Sequence, residues 1–315
     1  MQLNPVQSKI ERVCLPELIG KEVSLFLKRE DLLHPMISGN KYRKLYYNIK
    51  KAKALNATKL ITFGGAYSNH ILATASAGFE FGFKTLGIIR GEELAKDITK
   101  TLSINPTLNA AHKLGMDFHF ISRKNYALKS TTTFLNDLLV RYPNAYIIPE
   151  GGTNALAVKG CEAILGEDTA SFDIICCSIG TGGTISGIIN SSLEHQRVIG
   201  FPALKGDFLK KEIANTCLNK GNWELVTDYH FGGYAKITKD LITFNNSFYQ
   251  LTGILLDPIY TGKMVYGVVD LIQKNKIRAG SKILLIHTGG LQGINGMNTI
   301  LAKKGLPLLI NKIHE

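Results

Sequence analysis

The chain of 315 residues has only five cysteines, and no two of them form a C-x-x-C pair. An odd cysteine count without paired spacing argues against a disulfide framework, and we predict no metal site. Cys176 and Cys177 lie together in an apolar run, where we expect them to be buried as small hydrophobic residues. This cysteine usage is typical of proteins from a reducing compartment.

Long apolar segments are also missing. The N-terminal residues Met-Gln-Leu-Asn-Pro-Val do not form the apolar stretch of a signal peptide, and no uncharged run approaches membrane-spanning length. We therefore expect a cytoplasmic protein that has no membrane partner.

Acidic residues are fewer than basic ones, 25 against 37, which gives a formal charge of +12. Such a charge attracts anions, for example amino-acid carboxylates, phosphates or nucleic acid. The lysines, however, are scattered along predicted helices and form no basic block interleaved with aromatic residues. We therefore interpret them as solvated helix faces and expect no nucleic-acid partner, which steeply salt-dependent retention on DNA or RNA would contradict.

What the chain does have is a regular alternation of apolar runs and amphipathic segments. The strand candidates are 23–28, 59–63, 85–89, 117–121, 145–148, 173–178, 197–201 and 282–286. The helix candidates include 69–81, 107–115, 131–141, 155–165, 184–195 and 207–218. Short apolar runs that are bounded by glycines and separated by helices indicate α/β domains with parallel sheets covered on both faces.

The length of the chain is sufficient for two domains. The pattern favours a small inserted α/β domain at 45–150, and a large domain built from 1–44 and 151–315. Several strand-to-helix junctions carry glycine-rich loops, namely Gly64-Gly65, Gly151-Gly152, Gly180 to Gly183 and Gly289-Gly290. Ligands of open parallel sheets collect at the carboxyl ends of the strands, where these loops must lie.

The loop from Gly180 to Gly183 has the features of a phosphate site. Glycines let the main chain approach an anion, the N–H groups of the loop and the helix end form a cradle, and Thr181 and Thr184 add hydroxyl donors. The loop lacks the ending of a P-loop and fits the dinucleotide motif poorly. A purely structural glycine turn is the alternative.

Lys41 follows a Gly-Asn turn at a predicted helix start, and Ser68 and Asn69 follow a glycine loop before the next helix. A lysine at such a turn, with polar groups on a nearby helix N-terminus, is what a pyridoxal phosphate (PLP) enzyme needs. The lysine forms a Schiff base with the aldehyde, while the second loop orients the ring and the substrate carboxylate. On its own Lys41 would be an ordinary surface lysine. Lys44, one turn further, is a rival for the Schiff base and a candidate phosphate contact.

Each of the other candidates has a simpler structural interpretation. Ser68 and Asn69 could cap the helix that starts near 69, although a cap does not exclude a role in binding a carboxylate. His70 is more typical of a structural histidine than of a catalytic base. Tyr260 could be a core aromatic residue, and His287 a satisfied histidine at a strand end.

Taken together, these residues make the chain similar to the 1-aminocyclopropane-1-carboxylate (ACC) deaminase/D-cysteine desulfhydrase family. The matching segments occur in family order: 28–31 (KRED), 39–44 (GNKYRK), 64–70 (GGAYSNH), 149–152 (PEGG), 181–184 (TGGT), 257–263 (DPIYTGK) and 287–290 (HTGG). The resemblance implies the tryptophan synthase β-like fold type II of PLP enzymes. It also implies two open parallel-sheet domains with the cofactor in the cleft between them, a small amino-acid substrate and a homodimer.

The resemblance further implies a role for each matching position. The catalytic residues would be Lys41 as the Schiff-base lysine, Ser68 and Tyr260. The substrate contacts would be Ser68, Asn69, His70, Tyr234 and Tyr260. The cofactor contacts would be Lys41, Lys44, Asn69, Thr181, Gly182, Gly183, Thr184, Thr261 and Thr288, with Asn69 on the PLP 3′-oxygen and Lys44 and 181–184 on the phosphate.

Two departures from the family pattern bear on the reaction. Where the resembling ACC deaminases have glutamate and leucine, this chain has Thr261 and Thr288, as in desulfhydrase-like members. A glutamate favours a protonated pyridine nitrogen and a strong electron sink, which opening a cyclopropane ring needs; a neutral threonine does not. The N-terminal segment also differs, at 11–16, which affects substrate access rather than cofactor binding.

We therefore expect β-elimination of D-cysteine to pyruvate, hydrogen sulfide and ammonia, with ACC deamination to 2-oxobutanoate and ammonia as the alternative. Further interpretations are a racemase or dehydratase of serine or threonine, and a protein that binds PLP without turnover.

Overall fold

The computed structural model describes residues 6–206, 208–218 and 221–311. The strands are β1 (Ile10–Val13), β2 (Ser24–Lys28), β3 (Lys59–Gly65), β4 (Lys84–Arg90), β5 (Met116–Ile121), β6 (Ala145–Ile148), β7 (Ile174–Ile179), β8 (Arg197–Pro202), β9 (Trp223–Leu225) and β10 (Lys282–Ile286). The α-helices are α1 (Asn40–Ala54), α2 (Asn69–Phe81), α3 (Ile98–Ile104), α4 (Pro106–Lys113), α5 (Arg123–Ala127), α6 (Thr132–Arg141), α7 (Ala155–Glu162), α8 (Gly183–Ser191), α9 (Phe208–Thr216), α10 (Lys239–Thr252), α11 (Thr261–Gln273) and α12 (Gly293–Lys303). Within these ranges, no helix has both the length and the apolar character that a membrane crossing requires.

All eight predicted strands are present, and their ends differ from the predicted ones by at most two residues. The pattern does not reveal β1 and β9. β9 has only three residues, and β1 contains the charged pair Glu11 and Arg12. β1 also pairs with β2 in the antiparallel direction, which is an exception to the parallel arrangement predicted for the sheets.

The described residues form two compact units, one of residues 41–160 and one of residues 6–40 together with 161–311. In the larger unit six strands form a sheet in the order β1-β2-β10-β7-β8-β9. In the smaller unit four strands form a wholly parallel sheet in the order β5-β4-β3-β6. The α/β class with two parallel-sheet domains is therefore confirmed.

Helices cover both faces of the larger sheet, and the alternation along β10 shows why. Ile283 and Leu285 pack into one core cluster together with residues of α11, whereas Leu284 and Ile286 pack into another together with residues of α8. Successive side chains of a strand point to opposite faces, so a strand buried on both sides reads as a continuous apolar run. Cys176 and Cys177 follow the same rule: both are fully buried, one in each cluster, as predicted.

Candidate active site

In each sheet some of the predicted site residues directly follow the carboxyl ends of parallel strands. In the larger unit, β7 and β10 lead into residues 180–184 and 287–290. In the smaller unit, β3 and β6 lead into residues 66–70 and 149–153. This is the edge at which open parallel sheets bind ligands.

Lys41 is the second residue of α1, and it is partly buried. The turn before it is held by several contacts. The Asn40 N–H donates to the Thr288 carbonyl at 3.2 Å, and Asn40 Nδ2 donates to Thr184 Oγ1 at 2.8 Å. Gly39 has a φ of +62°, and a Cβ at this position would collide with the Thr288 carbonyl. Only glycine fits this position of the turn. The two hydrogen bonds of Asn40 fix the position of the first residue of α1.

Lys44 lies one turn further along α1 and is only 2% exposed. Its Nζ donates to the Gly151 carbonyl at 3.1 Å and to Thr153 Oγ1 at 3.0 Å. The ammonium therefore holds the loop that follows β6. An amine in that position would have to leave both oxygens before it could react with an aldehyde.

Ser68 is the N-cap residue of α2, because its Oγ accepts the His70 N–H at 3.2 Å. Asn69 is the first residue of the helix, and both side chains are partly buried. The first turn of a 13-residue helix presents N–H groups and the positive end of the helix dipole, which suits a carboxylate. The predicted capping role of Ser68 is thus confirmed, and it leaves room for a second role in binding.

His70 has no solvent exposure, and its ring packs against Gly152. A Cβ at position 152 would lie only 2.9 Å from Cε1 of His70. Burial holds the pKa of His70 well below its ordinary value, and the positive charges of Lys41 and Lys44 lower it further. The Pro149 carbonyl opposes this shift only in part. The ring is therefore neutral and offers a substrate carboxylate no charge to pair with.

The loop after β7 leads directly into α8. Gly182 is the N-cap residue with a φ of +80°, and no side chain caps the helix there. Gly182, Gly183 and Thr184 are buried, whereas Thr181 is exposed. The first-turn N–H groups of α8 are thus donors that suit an oxyanion such as phosphate.

Three buried hydroxyl groups meet at the ends of β7 and β10 and the start of α11. Thr288 Oγ1 lies 3.2 Å from Ser178 Oγ and 3.3 Å from Thr261 Oγ1. The two contacts use two of the three hydroxyl protons, so one proton remains for a further acceptor. We call Ser178, Thr261 and Thr288 the hydroxyl cluster; it is polar and uncharged.

Tyr260 is the N-cap residue of α11, and its ring lies 6.2 Å from the ring of Tyr234. Tyr234 is 44% exposed, and Tyr260 is partly buried. The buried carboxylate of Asp257 fixes the main chain of Tyr260. Its Oδ1 accepts the Ile259 and Tyr260 N–H groups at 3.0 and 2.8 Å, and its Oδ2 accepts the Thr261 N–H at 2.7 Å.

Comparison with known proteins gives this arrangement a chemical meaning. The family model described as pyridoxal-phosphate dependent enzyme matches residues 13–289. The chain belongs to this family. It is 32% identical over 295 residues to a protein of Pyrococcus horikoshii that is provisionally named an ACC deaminase, covering 87% of this chain and 86% of that protein.

Two further relatives of this PLP-dependent enzyme cover most of its length. The mitochondrial bifunctional D-cysteine desulfhydrase/ACC deaminase of Arabidopsis thaliana is 31% identical over 309 residues, which cover 90% of this chain and 76% of that protein. A crystal structure of an ACC deaminase homologue superimposes with a TM-score of 0.80 at 29% identity, over 96% of this chain and 95% of that one. The PLP fold type II predicted from the motifs is therefore confirmed.

The residues of this PLP enzyme fit the chemistry of its cofactor. The uncapped N-terminus of α8 would suit a phosphate, the hydroxyl cluster would offer a neutral hydrogen-bond partner to a ring nitrogen, and Lys41 carries an amine. These are the three kinds of group that a pyridoxal phosphate requires.

Asn40, Ser178 and Asp257 contribute to this arrangement, but the sequence does not single them out as site residues. Asp257 had a detectable signal, because an aspartate shortly before a helix start is typical of a cap. Ser178 is a lone hydroxyl near the end of an apolar strand. The bond between Asn40 and Thr184 joins residues far apart in the chain, so no local pattern could reveal it.

Proposed function

We propose that this PLP-dependent enzyme is a lyase of a small amino acid that converts D-cysteine to pyruvate, hydrogen sulfide and ammonia. The observation that carries the proposal is the neutral hydroxyl cluster, with Thr261 and Thr288 at the positions where the resembling ACC deaminases have glutamate and leucine. The name of the Arabidopsis relative, which includes D-cysteine desulfhydrase, supports it.

The electrostatic argument concerns the protonation of the pyridine nitrogen. A hydroxyl group carries no charge and therefore does not stabilise a pyridinium cation as a carboxylate would. The nearby carboxylate of Asp257 accepts three main-chain N–H groups, so it is committed to the start of α11. A weaker electron sink is sufficient for elimination of a thiolate, because the thiolate is a good leaving group.

When bound, PLP supplies the electron sink that accepts the charge left on Cα after its proton is removed. We assign to Lys41 the amine that holds the cofactor and, once the substrate amine has replaced it, takes the Cα proton. Tyr260, with Tyr234 beside it, would donate a proton to the departing sulfur. The overall reaction consumes one water and releases pyruvate, hydrogen sulfide and ammonia.

The remaining residues would bind and orient. Ser68 and Asn69, at the N-terminus of α2, would hold the substrate carboxylate, with the neutral His70 as a further contact. Asn69 would also contact the PLP 3′-oxygen. Thr181, Gly182, Gly183 and Thr184 would hold the phosphate with Lys44, and Thr261 and Thr288 would face the ring nitrogen. The fit of a carboxylate and a phosphate to the starts of α2 and α8 supports these roles.

ACC deamination to 2-oxobutanoate and ammonia is the second candidate, because the Arabidopsis relative carries both activities in its name. On the whole-chain level, we propose a homodimer in the cytoplasm with a small inserted domain at 45–150. The resemblance supports the dimer, and the free cysteines, which are typical of a reducing compartment, support the location.

The function is tested by incubating the purified enzyme with D-cysteine, L-cysteine, D-serine and ACC, and by measuring keto acid, sulfide and ammonia. We expect turnover of D-cysteine with release of sulfide. Turnover of ACC alone would overturn the argument from the hydroxyl cluster, and no turnover of any amino acid would leave a PLP-binding protein without this activity.

The role of Lys41 is tested separately by borohydride reduction and peptide mapping. We expect the reduced cofactor on the peptide that contains Lys41, and no label at this peptide in K41A. Lys51→Ala is the matched control, since it removes an exposed lysine from the same helix and should leave the label at Lys41. Label at Lys44 in the wild-type enzyme would exchange the roles of the two lysines.

A further inference from the structure

Lys263, in the third position of α11, is an unusual buried lysine. It is only 2% exposed, and its Nζ donates to the His230 carbonyl at 2.9 Å and to the Gly233 carbonyl at 2.8 Å. Desolvation lowers its pKa to about 8, which the negative charge of Asp257 opposes. The proposed reaction assigns no role to this ammonium.

Both carbonyl groups belong to one segment, residues 230–234, which we call the Tyr234 loop. Its main chain has an uncommon conformation: φ is +52° at Phe231, +89° at Gly232 and +111° at Gly233. A bulky residue such as Phe231 occupies the left-handed region only when its surroundings hold it there. Lys263 provides such a hold, because its two bonds join the two ends of the strained stretch to α11.

The loop also contacts α11 on either side of this ammonium. The Tyr234 ring lies 6.2 Å from the ring of Tyr260, and the Phe231 ring stands edge-on to Tyr266 at 5.0 Å. Positions 260, 263 and 266 are spaced three residues apart, so they lie along one face at the start of α11. Lys263 is thus the central and only charged member of the row that the Tyr234 loop covers.

We infer that Lys263 is a positioning residue, which binds the main chain of the Tyr234 loop and thereby fixes the Tyr234 phenol beside Tyr260. The inference rests on the proposed function, in which these two phenols serve the reaction. Lys263 itself acts through the loop and not on the substrate.

The test is a double-mutant cycle on the holoenzyme with K263M and Y234F, measured as kcat and KM for D-cysteine. K263M keeps the length and apolar character of the side chain but removes its donors. We expect K263M to lower kcat by about 10- to 100-fold, with a smaller change in KM, because a small displacement of a reacting group strongly lowers the rate of the chemical step. In the Y234F background the same substitution should change kcat by less than about threefold, because the residue on which it acts is already disabled.

A second measurement does not depend on activity. Hydrogen exchange of the amides at residues 230–236 should be at least about tenfold faster in K263M than in the wild type, while exchange in β7 and β10 stays the same. Lys21→Met is the matched control, since Lys21 Nζ donates to the Gln273 carbonyl at the other end of α11, in a solvent-exposed bond of 2.9 Å. K21M should keep kcat within about twofold of the wild-type value.

Unchanged exchange of the loop in K263M would overturn the inference, and so would an equal loss of kcat in both backgrounds, since that is the result of a merely structural role. If K263M does not fold, K263L, which also lacks donors, takes its place under the same criteria. If the wild type turns over none of the amino acids, the proposed function fails, and the exchange rates still decide whether Lys263 holds the loop.

Discussion

At the scale of single residues, His70 couples the stability of the protein to pH. The folded state keeps the pKa of this histidine well below its ordinary value, chiefly through burial. In the unfolded chain the same side chain takes up a proton near pH 6.5. Below that pH the unfolded state binds the additional proton, so stability falls as the pH falls and is constant above it.

We predict that the melting temperature of the wild-type enzyme decreases between pH 7 and pH 5, and that H70N decreases less, because asparagine does not titrate. Thermal unfolding followed by circular dichroism at several pH values measures the difference. His195→Asn is the control, because His195 is an exposed histidine that contacts the Ala170 carbonyl. A pH slope in H70N as steep as in the wild type would contradict the prediction.

At the scale of elements, the start of α11 depends on one carboxylate. Asp257 is 1% exposed and accepts N–H groups from three successive residues, Ile259, Tyr260 and Thr261. The Tyr260 and Thr261 N–H groups are among the donors that a helix N-terminus leaves unpaired, and in a buried location water cannot replace the carboxylate. The same contacts hold Tyr260 and Thr261, so this cap connects the stability of the helix with the proposed site.

We predict that D257A lowers the free energy of unfolding by about 2–4 kcal/mol, since it leaves buried N–H groups without an acceptor. Chemical denaturation measures the change. Asp97→Ala is the matched control: Asp97 is exposed and caps α3 through a single bond to the Lys100 N–H. The control should lose about 1 kcal/mol. An equal loss in the two variants would show that burial and bond number do not matter here.

The elements also show what the sequence can and cannot predict. Buried parallel strands such as β7 and β10 are continuous apolar runs, and a cap such as Ser68 is a local signal, so both were within reach of pattern analysis. The two bonds of Lys263 join residues some 30 positions apart, and the collision that requires glycine at position 39 involves Thr288. Such contacts exist only in the folded chain. A sequence motif can identify the residues that make them, but it does not show which residues they contact.

At the scale of the whole molecule, the net charge of +12 comes partly from lysines that make local contacts with aromatic rings. Several lysines have their ammonium groups over aromatic rings of the same unit, as in the cases of Lys50, Lys53, Lys59, Lys129, Lys159 and Lys282. A lysine over a ring gains cation–π energy in that position and covers apolar surface with its stem. These six lysines contact rings in different segments of the chain, with Tyr47 shared by Lys50 and Lys159, whereas a continuous basic stripe is what binds a phosphate backbone.

Light scattering of the enzyme, alone and mixed with a short DNA duplex at about 0.15 M salt, tests this interpretation together with the proposed dimer. We predict a mass of twice 34.6 kDa, unchanged when the duplex is added. A mass of 34.6 kDa would exclude the dimer under these conditions. A complex that forms with DNA and dissociates steeply as salt rises would mean that the dispersed lysines act together on phosphates, because the release of many counterions is what makes binding so sensitive to salt.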